Sequence, residues 1–94
     1  MRAVLQKNWF AAHSKEMWSW VLYVKDDKFD DYEDAANIYA IDRDGPFTIS
    51  VWDWVDHEYT HYEDIKRLKD AKTMGKLLAG MMFTKFPHAK RQNS

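Results

Sequence analysis

The tetrapeptides Trp18-Ser19-Trp20-Val21 and Trp52-Asp53-Trp54-Val55 hold four of the five tryptophans of this chain. Alternation of this kind belongs to a strand, where residues i and i+2 point to the same face, so each tetrapeptide sets two indoles side by side on a sheet. Two such strands in one sheet make a large aromatic surface, which serves either as core or as contact site. The rest of the sequence has to decide which indoles do which.

The strand pattern extends around both motifs. Met17 to Lys25 is rich in aromatic and β-branched residues, and Trp18, Trp20, Leu22 and Val24 form an unbroken apolar face. Trp9-Phe10-Ala11-Ala12 before it suggests the first arm of a hairpin, although Leu5, Trp9 and Ala12 also fall at helical spacing. Asn37 to Asp42 reads as a third strand. The run Asp42-Arg43-Asp44-Gly45-Pro46 is a dense turn signal. A fourth strand follows from Phe47 to about Asp56, with Phe47, Ile49, Val51 and Val55 on its apolar side and Trp52 and Trp54 on the other. Between the second and third strands, Phe29, Tyr32 and Ala36 recur at spacings of three and four and suggest a short helical turn around 29–36.

One amphipathic helix is expected to close the chain. Thr60-x-x-Glu63 fits a capping box, in which the threonine hydroxyl and the glutamate carboxylate satisfy the first free backbone N–H groups. Ile65, Leu68, Ala71, Gly75, Leu78 and Met82 then mark an apolar stripe, and Lys66, Arg67, Lys69, Lys72 and Lys76 cover much of the opposite side. Gly75 lies within the stripe, where a missing side chain lets a helix approach a sheet closely. Gly80 or the region near Lys85 ends the helix, and Pro87 cannot continue it. The expected fold is α+β: an antiparallel sheet of about four strands with this C-terminal helix packed on one face. Residues 1–86 form a single domain and 87–94 a polar, frayed tail.

Composition bounds the function. With 46% hydrophobic and 31% charged residues over 94 positions, the chain suits one small globular core. It has no cysteine, so disulfides and thiolate metal sites are excluded, which suits a reducing compartment. There is no apolar run of bilayer length, and Gln6, Lys7 and Asn8 interrupt the short apolar stretch after Arg2, so neither a membrane partner nor a secretory signal is expected. The expected location is cytoplasmic. The net charge of −1 conceals a split: residues 1–60 carry six basic and twelve acidic side chains, and residues 61–94 carry eight and three. Six of the carboxylates fall between Asp26 and Asp34. Such asymmetry suits a charged partner or pairing within the chain.

Three functional readings follow. His57-Glu58-Tyr59-Thr60-His61 matches H-E-x-x-H, which binds zinc when both imidazoles lie one helical turn apart and the glutamate acts as base. The capping box starts the helix after His57, and the only third ligands on offer are His13 and His88, so a zinc hydrolase is the weakest reading and no cofactor is expected. The basic helix face at Lys69, Lys72 and Lys76, with exposed aromatics nearby, could hold phosphates and stack bases, but a pI near 6.4 is low for a nucleic-acid binder. The favoured reading is a non-enzymatic protein-binding module. A single helix covers only one sheet face, leaving Trp52 and Trp54 to contact a partner protein or a second copy. In general type the chain resembles small proteins of phages and other mobile elements, many of which bind and block a host enzyme or defence complex. That resemblance assigns no residue a role.

Overall fold

The computed structural model describes residues 3–26 and 31–84. It is α+β, with a C-terminal helix packed on an antiparallel sheet of six strands rather than four. In chain order these are β1 (Ala3–Leu5), β2 (Phe10–Ala11), β3 (Trp18–Asp26), β4 (Asp31–Ala40), β5 (Phe47–Asp53) and β6 (Glu58–Ile65), followed by α1 (Leu68–Phe83). The sheet runs β1-β3-β4-β5-β6, and β2 pairs with the other half of the same edge of β3. The expected tail at 87–94, including His88, and residues 27–30 of the acidic run lie outside the described residues.

Register explains how the core forms. Directly opposed residues share a face, so the rows Leu22–Ala36–Val51 and Trp20–Ile38–Ile49 each cross three strands beneath the helix. Leu22, Val24, Ile38 and Ile49 are fully buried there, and Ala71, Gly75 and Ala79 of α1 meet them. The expected apolar stripe of the helix is therefore the one that packs, with Leu68, Leu78 and Met82 half-buried at its margins. At Gly75 the approach is close: a Cβ added there would lie 2.9 Å from the indole of Trp9 and 3.4 Å from Ile49 Cγ2.

Two expectations of local helix fail. Residues 31–36 form the first half of β4 instead of a helical turn, because β3 offers a partner strand along their whole length. A bulge at Ala35 absorbs the mismatch, and it buries Ala35 and Ala36 together against the helix side. The Thr60/Glu63 capping box is the second failure. Both residues lie in β6, where Thr60 opposes Val51, and the helix begins at Leu68 without a side-chain cap. Tyr59, Thr60, His61 and Tyr62 are all acceptable in a strand, and pairing with six residues of β5 outweighs a local capping preference.

The connection into β6 is built by one aspartate. Asp53 Oδ1 accepts hydrogen bonds from the N–H groups of Val55 (2.8 Å) and Asp56 (3.1 Å), and its carbonyl accepts from His57 N–H at 2.9 Å. This turn ends β5 at Asp53 and leaves Val55 60% exposed, so Val55 does not join the core face as the alternation predicts. His57 closes the turn at φ 56°, in the left-handed region. Among the described residues, no helix is long and apolar enough to cross a membrane.

Candidate functional site

Among the described residues, nothing packs over the face of the sheet turned away from α1. One row crosses five strands on that face: Phe10, Val21, Asn37, Ser50 and His61 stand directly opposite one another in turn. Flanking rows place Ser19, Tyr39 and Thr48 on one side, with Tyr23 opposite Asp34 and Trp52 opposite Tyr59 on the other. Val21 is buried by its neighbours on this face although it belongs to no part of the helix-side core. Phe10, Tyr32 and Tyr59 remain 50%, 53% and 40% exposed.

The aromatic groups are organised into two clusters. Towards the β1/β2 edge, Tyr23 packs against both Phe10 (centroids 5.7 Å apart) and Tyr32 (5.8 Å). At the β5–β6 end, Trp52 is the hub. It lies 4.8 Å from Tyr59 and 6.3 Å from Trp54, edge-on to both, and the His57 ring stacks on it at 6.3 Å. A hollow of about 330 Å³ lies beside them, bounded by Trp52, Trp54, Tyr59, Glu33 and Asp34. Burial and the nearby Asp34 carboxylate push the Tyr59 phenol above its ordinary pKa, and the hydrogen bond with Asn37 partly opposes them. The phenol is neutral through the physiological range. Aromatic rings and carboxylates around one hollow suit a cationic side chain.

Of the residues singled out in the sequence, Trp52 stands in β5 on the open face, and Trp54 stands in the turn that follows, both half-buried. They meet each other, as the alternation implies, but Trp54 also packs against the helix-side core, so the two are not equivalent. Trp18 and Trp20 take the helix side. Trp20 is buried and meets Phe47 edge-on at 6.0 Å, while Trp18 is half-buried at the margin. His13 lies edge-on to both indoles, and its Nδ1 accepts from the Ser19 N–H at 3.1 Å.

The lysine row divides as well. Lys69 is exposed, but the Lys72 ammonium lies 5.9 Å from the Trp20 ring centroid, and Lys76 donates to the Lys7 carbonyl at 2.9 Å. Two of the three cations thus contact their own chain. His57 and His61 do not share a helical turn. His57 is in the β5–β6 turn, and His61 is in β6, where its Nδ1 shares a 2.7 Å hydrogen bond with Ser50 Oγ. The geometry that H-E-x-x-H requires is not formed, because the segment is a turn and a strand.

Sequence reasoning missed the tyrosines of the open face. Their signal is the alternation Tyr59, His61, Glu63, which the capping pattern at Thr60 and Glu63 masks. It also missed Met74, Leu77 and Met81, which recur at spacings of three and four on the outer side of α1 and are 37%, 67% and 65% exposed. No family model matches this chain, and neither a curated protein nor a solved structure is found to be similar to it.

Proposed function

We propose that this protein is a non-enzymatic binding module whose open sheet face docks a partner protein through a basic surface. The observation that carries this reading is the face left uncovered by the described residues, where Phe10 and Tyr32 stay exposed beside Tyr23 and Tyr59 stays exposed beside Trp52. Aromatic side chains supply large contact area at small entropic cost and dominate binding hot spots. The chemistry of the partner follows from the hollow beside Trp52 at the margin of this face, where Asp34 and the neighbouring Glu33 favour lysine or arginine. In this reading the module acts by occupation: it covers a basic site on a host enzyme or defence complex and thereby inhibits it.

Affinity capture from the source cells, followed by identification of the retained protein, tests the proposal through paired variants. Tyr59→Ser with Tyr32→Ser should abolish retention while leaving the circular dichroism spectrum unchanged. Leu77→Ser on the outer side of the helix should leave retention intact. Loss with Leu77→Ser, together with retention by the tyrosine pair, would assign binding to the helix and refute the sheet-face reading.

A further inference from the structure

We propose a second binding site, for a nucleoside phosphate, in the groove where the β4–β5 turn meets the start of α1. The groove lies at the opposite end of β5 from Trp52 and on the helix side of the sheet, so it is separate from the open face. Trp18, Trp20, Phe47 and Leu68 form its apolar walls, and Arg43, Lys66 and Arg67 bring three cations around it, with Asp44 at the rim. Its volume, about 520 Å³, lies within the roughly 300–1,000 Å³ of small-ligand sites.

The cations are the first argument. Among the described residues, the side chains of Arg43, Lys66 and Arg67 make no ion pair or hydrogen bond; the one recorded contact is the Arg43 guanidinium, 6.0 Å from the Trp18 ring centroid. Three like charges around one hollow repel, and a bound anion relieves them. Their placement sharpens the point. Arg67 is the N-cap of α1 and Lys69 lies in its first turn, the positive end of the helix dipole, where basic side chains are unfavourable and Asp70 is the acidic residue that offsets them.

Ring recognition is the second argument. Trp18 is half-buried and lines the groove, with the Arg43 guanidinium 6.0 Å from its ring centroid. A base stacks on this pair while its phosphates reach Arg67 and Lys66. The surrounding charges select a single nucleotide over a strand. Asp44 and Asp64 share the adjoining hollow with Lys66, and Asp70 lies just inside the helix, so a polyphosphate backbone leaving the groove would run into carboxylates.

Adenosine 5′-diphosphate is the probe, titrated into the intact chain by calorimetry, with inorganic phosphate, adenosine, an oligothymidylate and an acidic peptide alongside. The expected result is saturable one-to-one binding of the diphosphate, with phosphate alone and adenosine alone at least tenfold weaker. Arg43→Gln with Arg67→Gln should weaken it at least tenfold. If that pair melts early, Lys66→Gln, an exposed single change, must still weaken it threefold or more. No saturable binding at millimolar diphosphate, or binding indifferent to these variants, overturns the proposal. Tighter binding of the oligothymidylate or the acidic peptide overturns it equally.

Discussion

Gly75→Ala tests the packing of helix on sheet at its tightest point. Replacing an interior helical glycine by alanine ordinarily gains about 1 kcal/mol. Here the new methyl group would sit 2.9 Å from two carbons of the Trp9 indole, closer than carbon atoms approach without something moving. Trp9 is not free to swing away without loss, because its Nε1 donates to the Lys72 carbonyl of the same helix at 3.2 Å. Overpacking of this kind costs about 1–3 kcal/mol, so the net change should be a destabilisation of about 1 kcal/mol. Trp9→Ala removes the obstacle, at a cost below the roughly 3–5 kcal/mol of a fully buried aromatic. In that background only Ile49 Cγ2 at 3.4 Å faces the methyl, and Gly75→Ala should instead stabilise by up to about 1 kcal/mol. The double-mutant cycle, measured by urea denaturation, should give a coupling of about 2 kcal/mol between the two positions. The same effect of Gly75→Ala in both backgrounds would refute the contact.

Other expectations are simpler to state. Thr60→Ala should change stability by less than about 0.5 kcal/mol, since Thr60 is an exposed strand residue, whereas a true helix cap would lose about 1 kcal/mol. Ile49→Ala should cost about 2–5 kcal/mol, because that side chain is fully buried between the sheet and α1; a change below 1 kcal/mol on thermal or urea unfolding contradicts the core described above. The Tyr59 phenol is held above the ordinary value of 10.0 by burial and Asp34. The folded chain therefore keeps this proton where the unfolded chain releases it, so its contribution is full below pH 10 and falls as the pH rises from there through the folded value. Ultraviolet titration at alkaline pH should show Tyr59 ionising late, and Asp34→Asn should bring it closer to an ordinary tyrosine.

Much of the architecture was legible because side-chain alternation constrains strands directly. The apolar sides of β3 and β5, the turn at Asp42–Pro46, the apolar stripe of α1 and the close approach at Gly75 all follow from spacing. What misled was local preference set against pairing. Thr60-x-x-Glu63 is a sound capping box in isolation, and Phe29, Tyr32 and Ala36 do recur at helical spacing. Neither signal competes with a ladder of hydrogen bonds to a neighbouring strand, and strand pairing is a non-local property that no short window contains. The same error hid the candidate site. Once 58–65 is a strand, Tyr59 faces Trp52, His61 meets Ser50, and the open face carries two aromatic clusters instead of two isolated tryptophans. The charge asymmetry was visible in composition, but only the fold brings Arg43 from one half of the chain beside Lys66 and Arg67 of the other.

Photo-crosslinking from position 59 tests the binding-module account most directly, because it reports contact without requiring that the partner be known. Tyr59 is replaced by a benzophenone-bearing amino acid, Leu77 on the outer side of α1 is replaced likewise as the reference, and both chains are irradiated in the source cells. A docked partner on the open face predicts a discrete heavier adduct with a different protein from position 59 and none from position 77. An adduct from position 77 alone, or from position 59 only to a second copy of the chain, contradicts it.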